Sequence, residues 1–283
     1  MKTYRIGLSA VLAACLAGRA AGEPPGDAQQ DSDNAARARV LEEMRKRAEG
    51  TKVFAVSAGK EARAELVAEP LVRYSDQPRV MADATMWALG KPGRPAALLK
   101  VEAYRRDDGE LVWLYSMGAT SEGLIRAEWR DGHRWKSKAP GISWQALTPA
   151  PAAKASSALR LRQMKELSYR FAVRADDPGR GKEELRLLSQ PIYRYTDPDL
   201  GIIDAAIFGF ASYGTNPNAL VIIELCKEAE GSAWRFACSR ATDAGLSVIL
   251  DGAQAWSCPA TAVGPVELDA WLYFWESPGR QGD

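Results

Sequence analysis

The feature that most constrains the fold of this chain is a segment that occurs twice. Glu69-Pro-Leu-Val-Arg-Tyr-Ser-Asp76 is matched by Gln190-Pro-Ile-Tyr-Arg-Tyr-Thr-Asp197, a shift of 121 residues from Pro70 to Pro191. The match continues without a gap to Asp83-Ala84 against Asp204-Ala205. A repeat of this kind indicates a duplicated structural unit, so both halves of the chain are predicted to contain the same elements.

The same register continues after this segment, with shifts of 120 to 122 residues. The further matched pairs are Glu102 with Glu224, Trp113 with Trp234, Asp131-Gly132 with Asp251-Gly252, and Trp135 with Trp256. A chain of 283 residues is long enough for two domains of ordinary size. We therefore predict two tandem repeats, residues 35–150 and residues 155–283.

Each repeat is predicted to be an α+β unit. Ser156-Ser157 precedes apolar residues at helical spacing and can cap a helix. Short apolar runs and the two Asp-Gly turns favour strands joined by hairpins. The sequence therefore predicts, in each repeat, an N-terminal helix packed on an antiparallel meander sheet of five or six strands. An extra apolar strand, residues 271–275, either completes the sheet of its own repeat or docks on the first.

The N-terminus is typical of an exported protein. Lys2 and Arg5 precede a short apolar run that ends at Cys15, which predicts a signal peptide over residues 1–15. The run Leu12-Ala-Ala-Cys15 resembles a bacterial lipoprotein signal, which implies lipidation of Cys15 and a membrane partner through that anchor. Cleavage after Ala20 or Gly22 would instead release a soluble protein. Residues 16–34, rich in Ala, Gly, Pro, Asp and Gln, are predicted to be a disordered tether.

Composition argues against several functional classes. Lys and Arg total 37 and Asp and Glu total 36, a net charge of +1 that does not favour nucleic acid as a partner. His133 is the only histidine, which argues against a His-dependent triad or a metal site with several imidazoles. No metal and no cofactor is predicted.

A repeated set of charged side chains forms the candidate ligand-binding residues. Arg73, Asp76 and Asp83 of the first repeat recur in the second, and the corresponding residues there are Arg194, Asp197 and Asp204. Paired carboxylates can perform acid–base chemistry, and arginine can hold an anion. The structural alternative is that Asp76 and Asp197 cap turns while each arginine pairs with the later aspartate. Retention in both repeats favours this structural role.

Tryptophan and cysteine provide the remaining candidates. The matched tryptophans are predicted to lie in the core, whereas Trp129, Trp144, Trp271 and Trp275 have no counterpart and, if exposed, could stack on sugars. Trp144 is the candidate ligand-binding residue among them. Besides Cys15, the cysteines are Cys226, Cys238 and Cys258. Because export favours disulfides, Cys238 and Cys258 are the candidate pair.

The block Leu185-Arg-Leu-Leu-Ser-Gln-Pro-Ile-Tyr-Arg-Tyr-Thr-Asp197 resembles one found in uncharacterised secreted bacterial proteins with a duplicated domain. That resemblance supports the domain prediction and implies no activity. We expect a non-catalytic binding or scaffolding protein in the cell envelope, with a protein or glycan partner. The alternatives are a carboxylate-dependent envelope hydrolase and a cell-wall glycan-binding protein that uses exposed tryptophans.

Overall fold

The computed structural model describes residues 27–57, 59–76, 80–177, 179–261 and 265–276. The predicted signal peptide with Cys15 and residues 16–26 of the predicted tether lie outside the described residues. Residues 40–283 form one compact unit, and residues 27–39 form the first turns of helix α1.

Helix α1 (Asp27–Glu49) begins within the stretch predicted as a tether, and residues 27–34 of that stretch are helical in the structure. From Ala28 to Glu49 the chain contains neither Gly nor Pro, and Gly50 follows the last helical residue. A sequence without these helix breakers tolerates helical backbone. Towards the C-terminal end of α1, an apolar stripe that includes Met44 and Ala48, both fully buried, packs on the core.

The strands follow in two groups, one in each half of the chain. The first group comprises β1 (Lys52–Ser57), β2 (Lys60–Ala64), β3 (Val72–Asp76), β4 (Met81–Leu89), β5 (Ala97–Arg105), β6 (Leu111–Ala119), β7 (Leu124–Glu128), β8 (Arg134–Lys136) and β9 (Gln145–Ala146). After helix α2 (Ser157–Ser168), the second group comprises β10 (Phe171–Asp177), β11 (Gly181–Leu187), β12 (Tyr193–Asp197), β13 (Ile202–Ala211), β14 (Pro217–Glu228), β15 (Gly231–Arg240), β16 (Gly245–Leu250), β17 (Ala253–Cys258), β18 (Val266–Glu267) and β19 (Trp271–Trp275).

The fold is α+β with antiparallel strand pairing, as predicted, but the strands of each half do not form a single meander. In the first half, β7 returns to pair with β1, which gives a small sheet in the order β2-β1-β7-β8. In the second half, β16 pairs with β10 in the same way, but β11 also pairs with β13, so these strands belong to one nine-stranded sheet. The hairpins β7–β8 and β16–β17 turn at the two predicted Asp-Gly pairs, where Gly132 and Gly252 both have a φ of 86°.

Each half contains a large sheet, and each large sheet is extended by strands from the other half of the chain. Strands β3 to β6 are extended by β19 and β18, so the C-terminal strand docks on the first half. Strands β12 to β15 are extended by β9, which precedes α2 in the chain. The two halves therefore exchange edge strands, and neither large sheet is complete without residues from the other half.

Three apolar clusters hold the fold together. The first contains Met44, Trp87 and Trp113 and lies in the first half; the second contains Met164 and Phe236 and lies in the second half. The third cluster, here called the inter-sheet interface, contains residues of β3 to β5 together with residues of β12 to β15. The two large sheets therefore pack on each other through one face and on their own cores through the other.

Alternation along the central strands explains why both faces are apolar. In β5, Leu99 and Val101 belong to the first core, whereas Leu98 belongs to the inter-sheet interface. Because side chains alternate between faces, Lys100 and Glu102 lie on the interface side with Leu98. Both are buried, at 4% and 5% exposure. Burial of two ionisable groups among apolar neighbours requires compensating contacts.

Helix α2 begins as predicted, because Ser156 is its N-cap and the hydroxyl accepts a hydrogen bond from the Leu159 N–H at 3.3 Å. Its residues Met164 and Leu167 are buried in the second core. Among the described residues, no helix is both long and apolar enough to span a bilayer.

Candidate functional site

The predicted arginine–aspartate sets are structural ion pairs within each half. Arg73 donates from Nε to Asp83 Oδ1 at 3.0 Å and also pairs through Nη2 with Asp83 Oδ2. Arg194 donates from Nε to Asp204 Oδ1 at 3.0 Å and from Nη2 to Asp204 Oδ2 at 2.7 Å. Asp204 additionally accepts from Arg160 at 2.9 Å and is almost fully buried. These two-point contacts order the β3–β4 and β12–β13 hairpins, as the structural alternative predicted.

The other two predicted aspartates join the two halves. Asp197 accepts a hydrogen bond from the Leu200 N–H at 3.3 Å, which is the predicted turn cap, and one from the Arg94 N–H of the first half at 3.2 Å. Asp76 also contacts the second half, because its buried carboxylate accepts from Asn216 Nδ2 at 3.3 Å. Residues 77–79, which a turn cap by Asp76 would involve, lie outside the described residues. Asp197 of the second half therefore contacts the loop before β5, and Asp76 of the first half contacts the loop before β14.

At one end of the inter-sheet interface, Glu224 is the centre of a charged cluster that we call the Glu224 cluster. Its carboxylate is fully buried and accepts two hydrogen bonds from Arg94, both at 2.8 Å, and two from Arg235, at 2.9 and 2.7 Å. Tyr195 donates its hydroxyl at 2.7 Å. The half-buried Trp144 ring stacks on both guanidinium groups, with Arg94 and Arg235 carbons 4.7 and 4.3 Å from ring centroids.

These contacts determine how the groups around Glu224 ionise. Burial lowers the pKa of Arg94, but the hydrogen bonds and charge of Glu224 more than offset this effect, so the pKa is raised above its ordinary value. Burial, followed by the charge of Glu224, raises the pKa of Tyr195 far above its ordinary value. The same two causes raise the pKa of the Cys226 thiol to about 11. The cluster is thus a carboxylate neutralised by arginines with neutral donors around it.

The other end of the interface contains the Glu102 cluster, which is organised differently. Glu102 accepts hydroxyl hydrogen bonds from Tyr74 at 3.0 Å and from Tyr104 at 3.1 Å. Lys100 Nζ lies 3.9 Å from Glu102 Oε1. Its ammonium instead donates to three oxygens, Asn216 Oδ1 at 2.8 Å and the carbonyls of Pro217 and Ala241, each at 2.7 Å. The hydrogen bonds that the buried Glu102 carboxylate accepts from the described residues therefore come from two neutral hydroxyls, and its ion-pair contact with Lys100 is long.

Beside Glu102 the two halves enclose a cavity of about 150 Å³, here called the polar pocket. Buried polar side chains from both halves form its inner wall: Lys100, Glu102, Ser116, Asn216 and Asn218. Tyr104, Thr242, Asp243, Tyr273 and the exposed Arg180 line it nearer the surface. A concave site where a few polar groups converge is the usual form of a small-molecule site. The polar pocket is the candidate functional site.

The predicted site residues do not form this pocket wall. Asp76 lies directly behind the wall, because it contacts Asn216, which in turn contacts Lys100. Asp197 lines a separate, more apolar cleft of about 430 Å³ together with Arg94 and Leu200. Arg73, Asp83, Arg194 and Asp204 line neither cavity.

The tryptophans without counterparts are mostly interior. Trp129 and Trp271 are buried, Trp144 belongs to the Glu224 cluster, and Trp275 is 39% exposed. Of these four rings, only that of Trp275 offers a substantial exposed surface for a sugar. Trp271 lines the polar pocket, and its buried Nε1 has no hydrogen-bond partner among the described residues.

The structure holds Cys226, Cys238 and Cys258 as free thiols, so the predicted Cys238–Cys258 disulfide is not formed in it. Burial raises the pKa of Cys238 to about 12, which is the behaviour of a thiol packed as an apolar side chain in the second core. Within the described residues, no group of three or more His, Cys, Asp or Glu side chains is placed to hold a metal ion.

The residues that form the polar pocket were not identified from the sequence. Glu102 and Glu224 were matched in register but were not identified as site residues. The available signal was a charged residue within an otherwise apolar strand, as in Leu98-Leu-Lys-Val-Glu102 and Val221-Ile-Ile-Glu224. The sequence alone does not show that such a charged residue is buried. Its burial becomes evident only when the other large sheet is known to cover that face of the strand.

Comparisons of the chain with protein-family models, with curated proteins and with solved structures give no match.

Proposed function

We propose that the protein is a non-catalytic binding protein and that its ligand is a small molecule held in the polar pocket. The observation that carries this proposal is the convergence of buried polar side chains on one cavity between the two halves. Lys100 and Glu102 come from the first half, and Asn216 and Asn218 come from the second. Building such a site requires both large sheets, which gives a reason for their close packing.

We further propose that the two halves are tandem copies of one unit. The elements occur in the same order, and the Arg73–Asp83 and Arg194–Asp204 pairs occupy equivalent hairpins. The pairing of β4 with β5 has a register shift at Met81/Asp83, and the pairing of β13 with β14 has one at Ile202/Asp204. Shared bulges and shared ion pairs are specific features that support common descent of the two halves.

The carboxylates expected of the alternative, a hydrolase, are engaged in structural contacts. Asp83 and Asp204 pair with arginines, Asp197 accepts backbone hydrogen bonds, and Asp76 contacts an asparagine. A general acid–base pair requires two carboxyl groups that reach a substrate from opposite sides. The engagement of all four aspartates favours binding over hydrolysis.

The proposal includes the cell envelope as the location of the protein. A signal peptide ending at Cys15 would place the mature chain on the outer face of a membrane, attached through a lipid. Mass spectrometry of the N-terminal peptide from the membrane fraction tests this. Acylation of Cys15, lost in Cys15→Ser, is expected, whereas a mature N-terminus beyond residue 15 contradicts anchoring.

Thermal unfolding in the presence of chemically distinct small molecules tests the binding proposal. The panel contains amino acids, amines, sugars, carboxylic acids and nucleosides. A ligand present at 100 times its Kd stabilises the folded state by about 2.7 kcal/mol, which gives a readily measured rise in Tm. Ser116 lines the buried part of the pocket, so Ser116→Leu fills it, and Ser116→Ala is the matched control that leaves it open.

We expect at least one class of compound to raise the Tm of the wild type and of Ser116→Ala, and not that of Ser116→Leu. The proposal is wrong if no class raises the Tm of the wild type. It is also wrong if Ser116→Leu responds as strongly as Ser116→Ala, because the ligand then binds elsewhere.

A further inference from the structure

The Glu102 and Glu224 clusters occupy equivalent positions in the two large sheets. Glu102 lies on β5 opposite Ala84 of β4, and Glu224 lies on β14 opposite Ala205 of β13. A tyrosine from the preceding hairpin donates its hydroxyl to each, Tyr74 to Glu102 and Tyr195 to Glu224. One cluster can therefore be compared with the other, position by position.

The loops before β5 and β14 differ at the residue that contacts the opposite half. Gly93-Arg94-Pro95 precedes β5, and Thr215-Asn216-Pro217 precedes or begins β14. Ala97 pairs with Leu89 and Ala219 with Phe210, which places Arg94 and Asn216 at equivalent positions. Arg94 crosses to Glu224 of the second half, whereas the shorter Asn216 ends on Lys100 and Asp76 of the first half. No side chain from this loop reaches Glu102.

A second difference lies on the neighbouring strand. Glu224 is opposite Arg235 on β15, whereas Glu102 is opposite Leu114 on β6. Glu102 therefore lacks both guanidinium groups that neutralise Glu224.

The aromatic wall, in contrast, is present at both ends. In β9, Ala146 pairs with Arg235, and in β19, Trp275 pairs with Leu114. Counting back two residues from each places Trp144 and Tyr273 at equivalent positions. Trp144 stacks on the arginines of the Glu224 cluster, and Tyr273 lines the polar pocket beside Glu102. The pocket thus has the carboxylate and the aromatic ring of the Glu224 cluster but not its arginines.

We propose that the polar pocket binds a small guanidinium-type cation, which contacts Glu102 as Arg94 contacts Glu224. This inference rests on the proposed function, and it specifies the chemical class of the ligand. A planar guanidinium matches a carboxylate through two parallel N–H bonds and stacks favourably on an aromatic ring.

The charges around the pocket agree with a cationic ligand. Glu102 is a buried carboxylate of the pocket wall, and the ammonium of Lys100 donates hydrogen bonds to oxygens of Asn216, Pro217 and Ala241 rather than to Glu102. At the mouth, Arg180 is paired with Asp177, and Asp243 adds a second carboxylate to the lining. Burial raises the pKa of Tyr273 to about 12, and the negative charges of Asp243 and Glu102 contribute to this rise.

The size of the pocket also agrees with such a ligand. A cavity of about 150 Å³ in another protein holds benzene, which has six non-hydrogen atoms. The polar pocket has about the same volume, and methylguanidinium has only five such atoms. A free guanidinium group therefore fits, whereas a larger ligand would have to extend past Asp243 and Tyr273 to solvent.

Titration calorimetry with methylguanidinium tests the inference, with methylurea as the neutral control of the same shape. Both compounds are used at low millimolar concentration, well below the range in which they denature proteins. Glu102→Gln removes the charge and keeps the size of the side chain, and Glu122→Gln removes an exposed carboxylate next to Arg94 at the other end as the matched control. Asn216→Arg introduces the equivalent of Arg94 in the same loop.

We expect the wild type and Glu122→Gln to bind methylguanidinium at least tenfold more tightly than methylurea. In Glu102→Gln this preference should disappear, and in Asn216→Arg binding should be lost because the new side chain occupies the pocket. Circular dichroism confirms the fold of each variant, and if Asn216→Arg does not fold, Glu102→Gln decides the question. Equal affinity for both compounds, or unchanged preference in Glu102→Gln, overturns the inference. If Ser116→Leu blocks a neutral or anionic compound instead, the inference fails while the proposed function stands.

Discussion

Removal of Arg94 tests the description of the Glu224 cluster, because this side chain crosses from the first half to a buried carboxylate of the second. Arg94 makes two hydrogen bonds of 2.8 Å to Glu224, which is fully buried. Arg94→Met keeps the apolar length of the side chain and removes the charge. Glu224 then retains Arg235 and Tyr195 as partners but loses half of its guanidinium contacts.

The expected loss of stability is large. Breaking a buried ion pair by removal of one partner costs about 3–5 kcal/mol, because the remaining charge stays buried. We expect a value of about 3 kcal/mol, at the lower end, since Arg235 still neutralises the carboxylate. The contact of Arg94 with the exposed Glu122 adds little to this value.

Urea denaturation followed by circular dichroism measures this loss as a change in the free energy of unfolding. The matched control is Arg162→Met, whose ion pair with Glu166 on α2 is exposed, with a predicted change below about 0.5 kcal/mol. In a double-mutant cycle, Arg94→Met combined with Glu224→Gln should cost at least about 1 kcal/mol less than the sum of the single changes. If Arg94→Met changes stability no more than Arg162→Met, Arg94 does not hold the two halves together, and the reasoning is refuted.

Three further predictions follow from the contacts of single residues. Asp204→Asn should destabilise the protein by about 1–2 kcal/mol more than Asp83→Asn in urea denaturation, because Asp204 is more deeply buried and pairs with two arginines; equal losses would contradict this. Gly141→Ala should lower the free energy of unfolding by about 3 kcal/mol or more, since the new Cβ would lie 1.9 Å from a backbone oxygen. Gly109→Ala, at a φ of 87° but with open space around it, should lower it by only about 1–2 kcal/mol. A lower Tm for Gly109→Ala than for Gly141→Ala would contradict the close approach at Gly141. At pH 8 the native Cys226 thiol should react with iodoacetamide roughly 100-fold more slowly than a free cysteine, because its pKa of about 11 leaves little thiolate. The reaction rate should rise with pH up to that pKa. A rate like that of a small-molecule thiol would contradict the burial of Cys226.

The local features of the fold were predictable from the sequence because short-range chemistry determines them. The Asp-Gly hairpins, the Ser156 cap and the Arg73–Asp83 pair each depend on residues that are close in the chain or in one hairpin. The helical conformation of residues 27–34 was not predicted, because composition typical of a tether does not exclude helix when Gly and Pro are absent from Ala28 onward.

The candidate site was not predictable because it depends on contacts between halves. Glu102 and Lys100 alternate with apolar residues in β5, a pattern that also describes a strand with one face in water. Their burial follows only from the packing of the second large sheet on that face. The roles of Arg94 and Asn216 likewise become apparent only when the two loops are seen to cross to opposite halves.

A crystal structure of the protein with methylguanidinium bound would show the proposed site. We expect planar density in the polar pocket, with two N–H groups within about 3 Å of the Glu102 carboxylate and one face towards Tyr273. Binding at Glu102 is ruled out if the pocket contains only water while the compound lies elsewhere. It is also ruled out if Glu102 is exposed to solvent because the two large sheets do not pack on each other.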